Sequence, residues 1–437
     1  MSTERMATRE ARALTWRDLL LQKRVVAWAL YDFGNSAFAT SVLVGFFPLF
    51  FNDYWSVDAT GSDTTARLMT ANGISSLALA LSAPVLGAIA DRGGWRKALL
   101  TTFALIGAAT TAWLCFVPQG DWLEAATVFA VASIGFAAAN IFYDSMLIDV
   151  SSEQRFDLVS AFGYSAGYIG GGLLFAVHLV MILEPGWFGL PDITAAVRVA
   201  FLTVAVWWLV FTVPLLAYVQ EQRPAVRPRV GAAVAEGFAQ LAGTFRHLRR
   251  LRPALLFLIA YWLYIDGVNT VMKVAIDFGY KIGVGPQALM IALLVVQFVS
   301  FPAALAFGWL GERIGAKRGI LIGLAIYVVV TSWGAVMSSV TEFFVMACAI
   351  GLAQGGVQSL SRSLFARLIP ADKPGEFFGF YNMIGKFAAV LGPFLVALTA
   401  TITDETRWAV AAVLPLFVIG AVILLFTPDA GEAPGAG

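Results

Sequence analysis

The stretch Gly87-Ala-Ile-Ala-Asp91-Arg92-Gly93-Gly94-Trp95-Arg96-Lys97 returns as Gly308-Trp-Leu-Gly-Glu312-Arg313-Ile-Gly315-Ala-Lys317-Arg318. Each copy sits where one long apolar run ends and another begins, and glycine, carboxylate, arginine, glycine and the basic pair fall in register. Two such cassettes at equivalent points of two hydrophobic halves indicate a duplicated membrane protein whose short charged loops do matching work. The chain is therefore read as an all-α membrane protein built from two pseudo-symmetric six-helix bundles.

Composition agrees with that reading. The chain is 59% hydrophobic and 13% charged, with a mean hydropathy of +0.78, which leaves too little polar surface for a water-soluble globule. Lipid must be its main solvent. The net charge of +1 gives no electrostatic reason to bind nucleic acid, since the basic residues are divided among loops. Cys115 and Cys348 lie inside apolar runs without disulfide or zinc spacing, so both are expected as small buried packing residues. No cofactor or metal is expected.

A bilayer core of about 30 Å takes about 20 apolar residues per helix. The chain supplies twelve such runs, roughly 25–51, 68–90, 98–117, 123–147, 160–183, 198–219, 254–277, 287–310, 317–337, 341–365, 376–400 and 408–427. This gives a tail over 1–24, a first bundle over 25–220, a basic loop over 221–253, a second bundle over 254–427 and a tail over 428–437. Within the basic loop, Val234, Phe238, Leu241, Phe245 and Leu248 recur at helical spacing between Gly231 and Arg250. That segment is expected on the membrane surface, as a tether between the halves or as a regulatory, lipid-sensing element.

Basic residues decide the topology. With the N-terminus inside, 22 Lys and Arg fall on the cytoplasmic side, against only Arg67, Arg198, Lys281 and Arg407 outside. Both termini are expected in the cytoplasm. The first 24 residues hold Arg5, Arg9, Arg12, Arg17, Lys23 and Arg24 together with Glu4, Glu10 and Asp18, unlike a signal or transit peptide, so the first span is expected to be retained.

An ionisable group near the bilayer middle costs at least ~2.5–3.5 kcal/mol on insertion scales, so the few present should face a cavity or a partner. Asp32 and Asn35 in the first span repeat as Asp266 and Asn269 in the seventh, and are expected to face each other across the bundle interface. Two readings stay open for these aspartates: a proton, cation or amine site, or a hydrogen-bonded pairing that only holds helices together. Lys386, about ten residues into the eleventh span, is the candidate to neutralise an aspartate or to hold a substrate carboxylate or phosphate. Gln358, with Gln354 on the same stripe, suits a polar path, and Arg362 one turn further suits pairing with a gating loop. Asp144, near the inner end of the fourth span, is a site candidate that could equally meet water. His178, alone near the outer end of the fifth, reads as a satisfied packing residue.

The cassettes stand at inner helix ends, where a carboxylate gains from a cation or from the positive start of another helix. Asp91 with Arg92 and Arg96, and Glu312 with Arg313 and Lys317, are therefore expected to latch the halves together.

The cassette Gly87 to Lys97 resembles the loop signature of the major facilitator superfamily. Within that superfamily Trp28-Ala-Leu-Tyr31-Asp32-Phe-Gly-Asn35-Ser36-Ala37-Phe38-Ala39-Thr40, with Gln358-Ser-Leu-Ser-Arg362-Ser363-Leu364-Phe365-Ala366 and Gly385-Lys386-Phe387, is similar to the vacuole-effluxer-like branch, named after a fungal vacuolar amino-acid exporter. Gly34 stands where relatives carry alanine. The resemblance implies twelve helices, alternating access and coupling to an ion gradient, and says little about substrate. Short tails and loops favour a bacterial inner membrane over a vacuole.

The expected function is secondary transport of a small polar or amphipathic solute, an amino acid or peptide, outward in exchange for protons, by a single chain acting as a monomer. Uptake, or export of drugs or lipids, belongs to the same class. A non-transporting sensor or assembly protein on the same fold is the alternative, disfavoured by the retained intramembrane charge. No histidine cluster, nucleophile motif or phosphate loop points to an enzyme.

Overall fold

The computed structural model describes residues 16–59, 61–221, 251–281, 283–388, 391–403 and 410–428. The expected surface helix of the basic loop lies outside the described residues. The first half comprises α1 (Lys23–Trp55), α2 (Gly61–Gly93), α3 (Arg96–Trp113), α4 (Trp122–Ser145), α5 (Phe156–Leu183) and α6 (Ile193–Tyr218). The second comprises α7 (Arg252–Lys281), α8 (Pro286–Ile314), α9 (Ala316–Gly334), α10 (Val340–Leu368), the two-part α11 (Pro374–Phe387 and Leu391–Thr403) and α12 (Leu414–Leu425). Among the described residues ten helices are long and apolar enough to cross a membrane. The other two expected spans fall to α3, where a basic start and four threonines lower the hydropathy, and to α12, which has 12 residues.

Lipid tails are as apolar as leucine, so burial alone cannot hold helices together in a bilayer; close packing of small residues and polar contacts must do it. The two halves meet along α2 with α11 and α5 with α8. A Cβ on Gly87 would overlap the Gly375 carbonyl oxygen, and one on Gly308 would overlap Ala161. The first glycine of each cassette thus marks where the halves touch. Overpacking costs about 1–3 kcal/mol, so Gly87→Val should shift the protein away from this closed packing by about tenfold or more. Distances between spin labels on the exposed loop positions Gln154 and Asp372 would record the change; an unaltered distribution would contradict it.

The cassettes also turn the chain in the same way. Gly94 and Gly315 adopt φ of 61° and 91°, a region that side-chain-bearing residues avoid. One lysine of each cassette then ties down the last helix of its own half. Lys97 Nζ donates to Val219 O beyond α6 (2.8 Å), and Lys317 Nζ donates to Leu425 O (2.9 Å) and Thr427 O (2.7 Å) at the end of α12. These carbonyls have no intrahelical donor, and a lysine at the negative end of the helix satisfies them.

Helix α1 is irregular: Phe38–Phe46 and Phe51–Trp55 wind as π-turns. The wide turn leaves no room at Gly45, where a Cβ would sit 2.8 Å from Thr40 O and 2.9 Å from the Phe175 ring. His178 supports the wide turn from α5, its Nδ1 meeting Ser41 Oγ at 3.1 Å and its Nε2 meeting Thr203 Oγ1 at 2.8 Å. It is fully buried and satisfied. Cys115 and Cys348 are partly exposed rather than buried, because each lies on a helix or helix end near the outside of the bundle.

Candidate transport site

Between the halves lies a cavity of about 310 Å³. Its wall is built by α1, α4 and α5 on one side and α7, α8, α10 and α11 on the other, so neither half encloses it alone. A stripe of glycines on α5 allows α1 to approach closely: Gly170 faces the backbone of Phe33, and a Cβ on Gly167 would stand 2.9 Å from Asp32 Oδ1. That close approach sets Asp32 on the cavity wall. Its carboxylate accepts from Ser36 Oγ (2.9 Å) and Tyr143 Oη (3.3 Å), and no described cation pairs with it. Asn35, three residues on, donates to Asn140 Oδ1 at 2.6 Å.

Arg362 is the one basic residue in the lining, and its relative exposure is 1%. Every partner of its guanidinium comes from the opposite half. It donates to Asp144 Oδ1 (3.0 Å), Ser160 Oγ (2.9 Å) and Ser160 O (2.8 Å). Three rings of the first half surround it, with centroids at 4.8 Å for Trp28, 5.3 Å for Tyr143 and 4.3 Å for Tyr164. Such stacking suits a planar guanidinium, which stacks on rings while still donating in its plane. The second oxygen of Asp144 accepts from Asn382 Nδ2 on α11 at 3.2 Å.

The sequence suggested a cytoplasmic loop as the partner of Arg362. This is corrected: Arg362 pairs with Asp144, because equivalent points of α4 and α10 converge there. Asp144, the site candidate for which contact with water was the alternative, lines the cavity. The pattern extends one step toward the cassettes. Asp149 and Arg367 follow Asp144 and Arg362 by five residues each, so the first half presents acids where the second presents bases.

Beneath this pair, the cassette side is tied shut. Arg367 meets Asp157 (2.6 Å) and Arg155 meets Glu312 (2.9 Å) across the halves, while within the first half Arg96 meets Asp149 (2.9 Å) and, at 3.8 Å, Asp91. Asp91 also accepts from Gly375 N (3.0 Å) and Glu376 N (2.8 Å), the unpaired donors that open α11. The carboxylates of both cassettes therefore bridge the halves, as their position at helix ends suggests. Of their neighbouring arginines, Arg92 is exposed and Arg313 lies over Trp309 of its own helix at 3.5 Å. Lys317 caps α12 instead of joining a latch.

The symmetry of Asp32 and Asp266 is broken. Asp266 is fully buried and turned into its own half, where it accepts from Leu391 N (2.9 Å), Gly392 N (3.0 Å) and Thr270 Oγ1 (3.3 Å). The first part of α11 ends at Phe387 and the second begins at Leu391, and Asp266 accepts from the first two N–H groups of that second part. The two aspartates do not face each other, because Asp266 caps the start of the second part of α11. Asn269 and Lys386 are half-buried and absent from the cavity lining. Lys386 is within Coulombic reach of Lys273 and forms no ion pair among the described residues. The basic group in the cavity is thus Arg362.

Gln358 and Gln354 do line the cavity, Gln358 accepting from Tyr168 Oη at 3.0 Å. Gln297 on α8 donates to Thr40 Oγ1 at 2.7 Å, a further bond between the halves. Sequence reasoning missed Tyr143, Tyr164, Ser160 and Asn140. Only Tyr143 had a signal, its place beside Asp144. Among the described residues no group of three or more His, Cys, Asp or Glu could hold a metal ion.

The family model described as "Vacuole effluxer Atg22 like" matches residues 54–152 and 148–431. The chain belongs to the vacuole effluxer Atg22-like family. It is 38% identical over 410 residues to YxiO, an MFS-type transporter of Bacillus subtilis, covering 93% of this chain and 95% of that one. It is 21% identical over 476 residues to autophagy-related protein 22 of Saccharomyces cerevisiae, covering 89% and 88%. Among solved structures, the fold matches the proton:xylose symporter XylE with a TM-score of 0.70 at 14% identity, covering 93% and 95%. It matches the transporter FucP in its outward conformation with a TM-score of 0.70 at 10% identity, covering 94% and 100%. This Atg22-like protein is accordingly an integral multi-pass membrane protein of the major facilitator superfamily, a secondary transporter and not an enzyme.

Proposed function

We propose that this transporter exports a small zwitterionic solute of the amino-acid class in exchange for protons, across a bacterial inner membrane with the cassette side in the cytoplasm. The observation that carries the reading is the cavity's pair of opposite poles. Asp32 is half-buried, held only by hydroxyl donors and free of an ion pair among the described residues, and so is open to a proton or a substrate ammonium group. Arg362, caged by aromatic rings, offers a guanidinium to a carboxylate. Amides and tyrosines between the poles supply donors and acceptors that fix orientation without adding charge. The "effluxer" in the description of the matching family supports outward transport, and the segregation of basic loops supports the orientation. Since one chain supplies the whole cavity wall, a monomer suffices.

The test is flux in proteoliposomes loaded with single radiolabelled amino acids, with and without a pH gradient. The gradient should accelerate wild-type flux, and Asp32→Asn should remove that acceleration, a loss of about tenfold or more for one lost charged interaction, while protein yield is unchanged. Equal acceleration in the variant would take coupling away from Asp32.

A further inference from the structure

We infer that Tyr143 is the positioning residue that connects the charge on Asp32 to the Arg362–Asp144 closure, an assignment that rests on Asp32 being the coupling carboxylate. Tyr143 touches both ends. Its hydroxyl donates to Asp32 Oδ2 at 3.3 Å, its ring lies 5.3 Å from the Arg362 guanidinium, and its backbone leads directly into Asp144. The ring is clamped against Trp28, with centroids 4.6 Å apart and planes 13° from parallel. Trp28 in turn donates to Tyr143 O at 3.1 Å, so ring and backbone of Tyr143 move together with α1.

Around this tyrosine stand Asp32 and Tyr31 on α1, Gly163 on α5 and Arg362 on α10, with Asp144 next to it on α4; Tyr164 of α5 lies on the guanidinium and Asn382 of α11 donates to Asp144. Among the described residues Arg362 pairs with Asp144 while Asp32 lies within its electrostatic reach, so the position of the guanidinium depends on which acid carries charge. While Asp32 is ionised, the Tyr143 hydroxyl is drawn to it and the ring stays under Arg362 as it pairs with Asp144. Once Asp32 takes a proton, that attraction weakens, the hydroxyl is released, and the ring no longer has a fixed place beneath the guanidinium. Charge at the cavity wall is thereby converted into tightness of the contact that closes the cassette side.

Gly163 gives a second handle, because a Cβ there would stand 2.7 Å from the Trp28 ring and 2.8 Å from the Tyr143 hydroxyl, disturbing the clamp and the hydroxyl without altering Tyr143 itself. The test follows the distance between spin labels at Gln154 and Asp372 as pH is varied. It uses the full chain in lipid nanodiscs, carrying Cys115→Ser and Cys348→Ser. In the otherwise unmodified protein, the open-to-closed ratio on the cassette side should change with pH. Tyr143→Phe keeps the ring and should flatten that change by about tenfold, the scale of one hydrogen bond to a charged group; Gly163→Ala should flatten it as well. Should both variants respond to pH as the parent does while Asp32→Asn is unresponsive, Tyr143 has no connecting role and the coupling reading of Asp32 survives. Should Asp32→Asn itself respond as the parent does, both ideas fall together.

Discussion

Arg362→Ala should leave this transporter open on its cassette side. The change removes one member of a buried pair and strands Asp144 without its cation, a loss on the order of 3–5 kcal/mol. Because every partner of the guanidinium lies in the opposite half, nearly all of that loss falls on the closed state. A ratio of closed to open molecules should then fall by about a hundredfold or more, since each 1.4 kcal/mol is about a factor of ten. Label distances between positions 154 and 372 would show a long component replacing the short one. Arg362→Lys should rescue only in part, as an ammonium keeps the charge but neither the fork to Ser160 and Asp144 nor the stacking on Trp28 and Tyr164. Pairing Asp144→Asn with Arg362→Gln should cost less than Arg362→Ala alone, because no uncompensated charge stays buried. A distribution in Arg362→Ala identical to the parent's would show that the latches at Asp91, Asp157 and Glu312 hold the halves without it.

The second large effect concerns stability. Asp266→Ala would strip the cap from the restarting half of α11 and leave two backbone N–H groups unpaired at membrane depth, where water cannot replace the lost acceptor. A loss of about 2–5 kcal/mol is expected from unpaired polar groups in such surroundings. It should appear as a clearly lower unfolding midpoint in detergent. Asp266→Asn keeps an acceptor oxygen and should recover most of it. Asp32→Asn, in contrast, should unfold near the parent temperature while losing its response to a pH gradient. If Asp266→Ala were as stable as the parent and defective only in coupling, the two aspartates would share the role that their repeated motif suggested.

These contrasts show what the sequence could and could not convey. The duplicated cassettes announced two bundles, and the structure adds that their first glycines are contact points and that one lysine in each fastens the closing helix of its half. Helix periodicity and hydropathy located the spans because both are local properties of the chain. The pairing of Asp144 with Arg362 is not local: it depends on how α4 and α10 lean toward each other, and only the matching spacing to Asp149 and Arg367 hinted at it. The different fate of Asp266 depends on the second part of α11 beginning at Leu391; Gly392-Pro393 stands there, and a proline, lacking an N–H, disrupts the turn before it, a signal that the reading of the spans passed over. Lys386 was singled out by depth alone. Depth along a helix does not say whether a side chain reaches a cavity, and Lys386, one turn beyond the lining residue Asn382, is not in its wall. Tyr143 and Tyr164 were overlooked because an aromatic residue in an apolar span has no signature that separates a cage from ordinary packing.

One cavity lies between the halves, and the Arg362–Asp144 pair shuts it off from the cassette side. Gln354 lines that cavity and its amide oxygen has no donor, so Gln354→Cys, with Cys115→Ser and Cys348→Ser, places a reactive thiol there at little cost. In vesicles of known orientation, a membrane-impermeant maleimide should modify it from the face opposite the cassettes, and from the cassette face only when Arg362→Ala is added. Ready modification from the cassette face with Arg362 intact would contradict the account.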